Sequence, residues 1–242
     1  MTLLDAPELA PYRDEPTQMP GESDRLDVAI TVRRGAMAQV TTQSATKIHQ
    51  MDANFAAQSQ QLTLADDAYL ELLPGPVIPH RHSRFLTHIL ATVDDSATLL
   101  SAEILLPGRK YHAAGELFEY DLYSSAVTAI RPGGRPLFTE KLVAEPWRQP
   151  VRQAGAMGRF DVLANVTLVT PPGHADRIFE QAEAGTDAEC MAGASRLPNA
   201  AGLSYKVIGM QTAPVKSRVR AFWNLVRQEV AGAPAPSAPL WG

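Results

Sequence analysis

The sequence predicts a mostly β protein with two α-helices, the second of them close to the C-terminus. Three observations carry that prediction. Leu26, Val28, Ile30 and Val32 alternate with Asp27, Ala29, Thr31 and Arg33, the period of two that marks a half-buried strand. Proline–glycine punctuation recurs between apolar runs, at Pro74-Gly75-Pro76, Pro107-Gly108, Pro132-Gly133-Gly134 and Pro171-Pro172-Gly173. Only near the end does a helical period take over, from Pro214 onward.

Taken in order, residues 1–23 hold Pro7, Pro11, Pro16 and Pro20 among mixed charges and read as an irregular lead-in. The first strand follows at Leu26–Val32. A second clear one runs over Phe85–Val93, apolar on both faces, as suits a strand covered on both sides. Between them lies a weak repeat. Ile30-Thr31-Val32-Arg33-Arg34-Gly35-Ala36 resembles Leu62-Thr63-Leu64-Ala65-Asp66-Asp67-Ala68, and both resemble Ala91-Thr92-Val93-Asp94-Asp95-Ser96-Ala97. The closing alanines lie 32 and then 29 residues apart. That spacing suits stacked repeats whose units cannot bury an apolar face alone. An antiparallel meander would also repeat strand, turn and strand.

Further strands are expected at Ala97–Leu106, Leu117–Ile130, Pro136–Val143, Asp161–Thr170 and Leu203–Met210, with a short helix over His174–Ala184. The terminal helix is expected over about 214–231, with proline in its first turn, where no amide donor is required. Val215, Val219, Phe222, Trp223, Val226 and Val230 share one face of it, and Gly232 ends it. Residues 233–242 form a Pro-rich tail. Residues 24–232 thus form one β domain with its terminal helix.

Composition narrows the function. Lys and Arg number 22 against 26 Asp and Glu, a formal charge of −4 that opposes general nucleic-acid binding. The single cysteine, Cys190, excludes a disulfide framework within the chain. No apolar run is long enough to span a bilayer. The first residues lack the basic and apolar regions of a secretion leader, so the expected compartment is the cytoplasm.

Catalytic signatures are missing. The sequence holds no Walker A loop, no Rossmann fingerprint, no His-Glu-x-x-His and no Gly-x-Ser-x-Gly. Cys190 follows Asp187 and Glu189, an acidic setting that does not activate a thiol as a nucleophile. His80 and His82 would share one face of a strand and could chelate a borderline metal, although Pro79 and Arg81 also suit a polar corner. Glu71 and Glu103 interrupt apolar strands, so each either points to solvent or needs a partner. For Glu103 the expected partners are Arg109 and Arg84, whose guanidinium groups bind carboxylates in bidentate fashion. Thr41-Thr42-Gln43-Ser44-Ala45-Thr46-Lys47 is dense in hydroxyl and amide groups and reads as a turn network or a partner-facing loop.

In that last run the sequence becomes recognisable. Asp24-Arg25-Leu26-Asp27 followed by Val40-Thr41-Thr42-Gln43-Ser44-Ala45-Thr46-Lys47-Ile48 resembles the UreD (UreH) family of urease accessory proteins. Tyr69-Leu70-Glu71-Leu72-Leu73-Pro74, Glu103-Ile104-Leu105-Leu106-Pro107-Gly108-Arg109, Gly134-Arg135-Pro136-Leu137 and Glu140-Lys141-Leu142 match further family motifs in order. Ser83-Arg84-Phe85 and the helix Val219–Val230 do the same. Glu22-Ser23 stands where the family has glycines. The family's leading block of strands is not met before Asp24, so the expectation is of a shortened first layer.

The resemblance implies a β-helical, two-layer fold with a pair of helices and no catalysis of its own. It implies a scaffold that binds apo-urease and UreF, which recruits the GTPase UreG, for insertion of nickel into the urease active site. It also implies transient nickel in an internal passage, with no tightly bound cofactor. Asp24, Arg25, Thr42, Thr46, Lys47, Glu71, Arg84, Glu103 and Arg109 become candidates for partner contact or passage, and His80 and His82 for metal. The rival readings are a cupin-like enzyme with a metal on His80, His82 and a carboxylate, and a degenerate, inactive copy.

Overall fold

A computed structural model describes residues 23–112, 114–182 and 184–236. The expected lead-in at 1–22 and the last part of the tail, 237–242, lie outside the described residues.

The first half winds as a stack of coils. β1 (Arg25–Val32), β2 (Met37–Val40) and β3 (Thr46–Ile48) make the first coil, and β4 (Ala56–Leu64), β5 (Tyr69–Leu72) and β6 (Val77–Pro79) the second. β7 (Arg84–Val93) and β8 (Thr98–Leu105) make the third, and β9 (Leu122–Ile130) lies against β7 as the next layer. Strands of successive coils pair in parallel: Val32 opposite Leu64 opposite Val93, and Met37 opposite Tyr69 opposite Thr98. The repeat seen in the sequence is therefore the stacking register. Its turns stack as well. The Arg34 guanidinium donates to Asp66, 32 residues on, and Asp67 N–H donates to Ser96 Oγ, 29 residues on.

The remaining strands complete two sheets. β10 (Pro136–Ala144) returns antiparallel to β9, so one sheet runs β1-β4-β7-β9-β10. β11 (Val162–Val169), β12 (Gly185–Thr186), β13 (Cys190–Arg196) and β14 (Gly202–Gly209) extend the other to β12-β13-β14-β11-β8-β5-β2, with β3 and β6 alongside.

Helix α1 (Pro172–Gln181) begins and ends earlier than expected, because Pro172 suits a first helical position where the sequence suggested a turn. Helix α2 (Thr212–Ala231) starts two residues before Pro214, which falls in its first turn, and Gly232 at φ 66° terminates it in the left-handed conformation. The strand expected at Leu117–Ile130 starts only at Leu122. Phe118 has φ 59°, and Asp121 is drawn into an ion pair with Arg84. β13 escapes the sequence reading because Cys190-Met191-Ala192-Gly193-Ala194 lacks β-branched residues, and its pairing with β14 holds it. Among the described residues no helix is long and apolar enough to cross a membrane.

Burial follows the alternation. One apolar cluster lies between sheet β2–β12 and α2, where Val219, Phe222, Trp223 and Val226 are at most 2% exposed and Phe222 stacks on Tyr205 at 4.4 Å. Two more lie between the sheets, at opposite ends of the strands. Leu62, Leu64, Leu70, Ala91, Leu99, Ala129 and Phe138 fill one end. Ile48, Ala56, Phe85, Leu105, Tyr120 and Tyr123 fill the other.

Candidate functional site

Between those two interlayer clusters the inward side chains change character. On β4, Ala56 belongs to one cluster and Leu62 to the other, and the same face between them presents Gln58 and Gln60. On β7 the intervening residue is Thr87, on β9 it is Ser125 between Tyr123 and Val127, and on β10 it is Glu140 between Phe138 and Leu142. The facing sheet answers with two polar rungs fixed by its register. Glu103 lies opposite Asn165, which lies opposite Lys206, and Ser101 lies opposite Thr167, which lies opposite Ser204. A belt of oxygen-bearing side chains thus crosses the sandwich perpendicular to its strands, along the stacking axis.

Contacts across the two sheets fix this belt. Tyr123 Oη, fully buried, donates a short hydrogen bond to Glu103 Oε1, and Ser125 adds a second. Burial raises the Glu103 pKa, the two hydrogen bonds oppose the rise, and the nearby Glu140 charge reinforces it. Lys206 Nζ reaches Glu140 Oε1 at 2.5 Å. Glu140 Oε2, Asn165 Oδ1 and Ser204 Oγ are buried with no hydrogen-bond partner. Such acceptors are uncommon in a packed interior unless water or an ion serves them. The ligand atoms offered are those of two carboxylates, an amide and hydroxyls, hard oxygens of the kind divalent cations accept. Among the described residues no group of three or more His, Cys, Asp or Glu is disposed to hold a metal ion.

The residues singled out from sequence fall in different places. Glu103 is in the belt, but its partners are Tyr123 and Ser125, not Arg109 or Arg84. Both arginines leave for the end loops, where Arg109 forms a bidentate pair with Glu116, and Arg84 Nε and Nη2 donate to Asp121 Oδ2 at 3.0 and 2.7 Å. Glu71, 1% exposed, faces the other side of its sheet. It accepts from Tyr69 Oη at 2.6 Å, Trp223 Nε1 at 2.8 Å and Arg227 Nη1 at 3.0 Å, and so ties α2 to β5. Arg25 donates to the Asp24 and Phe55 carbonyls and lies over the Phe55 ring at 4.2 Å. Thr42 Oγ1 accepts from Gly75 N–H and donates to Ser44 O, each at 2.8 Å. A side chain at Gly75 would meet Ser44 O at 2.6 Å, which is why the stacked turn needs glycine. Thr46 opens β3 with its amide on Pro76 O, and Lys47 beside it is exposed.

His80 and His82 are not a chelating pair. His82, at φ 54°, turns its exposed ring to Asp121 at 3.1 Å. His80 is buried edge-on against His49, with ring centroids 5.1 Å apart and Nε2 unpartnered. Burial, with Arg109 and His49 adding to it, lowers its pKa to about 4. The turn at Arg81–Ser83 breaks the strand on which the two rings would have shared a face. The cupin-like triad therefore has no geometry to stand on.

Sequence reading missed Ser125, Asn165 and Lys206 and quoted Glu140 only as part of a motif. The signal available was a polar residue at the same phase in each of several alternating strands.

The family model described as UreD urease accessory protein matches residues 21–242. Urease accessory protein UreD 2 of Brucella suis is 49% identical over 222 residues, covering 91% of this chain and 74% of the relative. UreD 3 of Methylorubrum populi is 48% identical over 223 residues, covering 91% of this chain and 72% of the relative. UreD of Photorhabdus laumondii is 46% identical over 222 residues, covering 91% and 69%. Two-layer stacking, terminal helix and motif order agree with identity at that level across nine-tenths of the sequence, and the chain belongs to the UreD family of urease accessory proteins.

Proposed function

We propose that this chain is a urease maturation factor that binds apo-urease and the UreF–UreG assembly and gives nickel a path through its interlayer belt during GTP-dependent insertion. Its part is that of a scaffold and conduit, not of a catalyst. The observation that carries the reading is the belt itself: Glu103 and Glu140 face each other's sheets between two apolar clusters that would otherwise close into one core. Nickel is cargo in this scheme, passed between carboxylate, amide and hydroxyl oxygens and retained by none of them. Aqueous compartments holding urease and its accessory proteins are where the chain would act, the cytoplasm first among them. The test is urease activation in cells expressing the urease subunits, UreF, UreG and this chain. Glu103→Gln and Glu140→Gln keep side-chain shape and remove charge. Each is expected to leave co-purification of the complex intact while nickel per urease and specific activity fall several-fold. Full activation by the double variant would refute the passage.

A further inference from the structure

Among the side chains that form the belt, Lys206 alone is cationic, and its place is particular. The sheet β1-β4-β7-β9-β10 ends at β10, whereas the facing sheet continues past β14 to β13 and β12. Lys206 stands on β14 and Glu140 on β10, so their ion pair bridges the two sheets where the belt reaches the edge strand. The Lys206 side chain is 58% exposed and that of Glu140 only 19%. The carboxylate belongs to the interior and the ammonium to the mouth. Inside the pair lie Glu140 Oε2 and Asn165 Oδ1, both buried, both acceptors, and both without a donor. Asn165 is the register neighbour of Lys206 on one side and of Glu103 on the other.

We propose that Lys206 is the latch of this passage. Its ammonium holds Glu140 when no metal is present, a divalent cation displaces it, and it closes again once the cation has left. The inference rests on the passage reading above. The physical reason is competition for one carboxylate. Two negative groups and a row of unpaired oxygens would otherwise form a standing cation site, and a conduit that binds its cargo tightly does not deliver it. A lysine suits this task because its single charge sits on a long flexible stem that swings into solvent, unlike a guanidinium held flat against the carboxylate. The strongest competitor for an ammonium there is a small ion of higher charge. Monovalent ions gain too little to open the pair.

Equilibrium dialysis of the isolated full chain against Ni²⁺ alone tests the latch. Lys206→Ala is expected to bind one equivalent about two- to fivefold more tightly than wild type, as fits removal of one charge beside a partly exposed carboxylate. Glu140→Gln added to it should erase the gain, and Lys206→Arg, whose guanidinium holds the carboxylate flat, should bind nickel no more tightly than wild type. Should the alanine variant fail to fold, Lys206→Met keeps the aliphatic stem and decides the same question. Equal nickel affinity for wild type and the neutral variant, or a gain that survives Glu140→Gln, would overturn the latch. Its failure is distinct from that of the passage: loss of activation in Glu103→Gln and Glu140→Gln with no gain for Lys206→Ala leaves a passage without a latch.

Discussion

At the scale of single residues the chain separates its acidic and basic groups by what each touches. Glu103, Glu71, Glu116 and Asp121 could each have been paired with an arginine on composition alone, yet only the last three are. Glu103 takes two hydroxyl donors from the facing sheet instead, which leaves its charge uncompensated and its proton affinity raised. His80 has the opposite problem, a base kept from its proton. Burial and the neighbouring Arg109, His49 and Lys47 disfavour its charged form, and Glu116 opposes them only in part. Between pH 6.5 and about 4 the unfolded chain takes up a proton at this site that the folded chain refuses. Stability contributed by neutral His80 is therefore present above that window and is lost as the pH falls through it. His80→Gln should flatten the acid limb of stability across the window, read as urea midpoints at several pH values. Parallel pH profiles for variant and wild type would show that this ring is not responsible. Glu103 was legible as a group that either meets solvent or needs a partner, because it interrupts the apolar strand Leu99–Leu106. Its partners were not, because strand alternation says which face a residue takes and nothing about which loop an arginine follows.

At the scale of elements, α2 is the clearest case of sequence dictating packing. The stripe Val215, Val219, Phe222, Trp223 and Val226 recurs with the helical period, and all five are buried against β8, β11 and β14. What the period could not reveal is the polar clasp beneath it. Glu71 sits on the α2 face of β5 and collects donors from Tyr69, Trp223 and Arg227, with Arg227 itself 5% exposed. A buried pair broken on one side leaves an uncompensated charge, costing about 3–5 kcal/mol. Glu71→Ala should therefore destabilise the chain by about that amount and loosen α2 first, because Arg227 and Trp223 lose their acceptor together. Denaturant melts give the magnitude, and hydrogen exchange along Thr212–Ala231 gives the location. The double change of Glu71 and Arg227 to Leu and Met should recover only part of the loss, since it removes the unpaired charge but still leaves Tyr69 Oη and Trp223 Nε1 without their acceptor. A Glu71→Ala loss below about 1 kcal/mol would mean that water replaces the carboxylate. Short elements were harder to read. β2, β3, β5 and β6 have at most four residues each, too few for a period to stand out, and they exist because neighbouring coils supply their hydrogen bonds.

At the scale of the whole molecule, the spacing of 32 and then 29 residues places like beside like in successive coils. It therefore stacks Gln58 beside Thr87 as surely as Leu62 beside Ala91, and β9 adds Ser125 to that row. The antiparallel pairing of β8, β11 and β14 sets Glu103 beside Asn165 beside Lys206 in the facing sheet. The belt is thus a product of the register, and its direction along the stack was hidden in a sequence where each strand contributes one or two members. If nickel travels there, a bulky apolar side chain in the belt should stop it without altering the outer surfaces of the sheets. Ser125 is suited to that experiment, being nine-tenths buried on β9 and aimed at Glu103. Ser125→Phe adds volume at an overpacking cost of about 1–3 kcal/mol, which β9 should tolerate because strands pair with it on both sides. Ser124→Phe is the matched control, since the neighbouring side chain on a strand points to the opposite face. The expected result is that both variants co-purify with urease and its accessory partners, while only Ser125→Phe leaves urease poor in nickel and low in activity. Equal nickel content with either variant would place the route outside the sandwich and assign the belt a purely internal role.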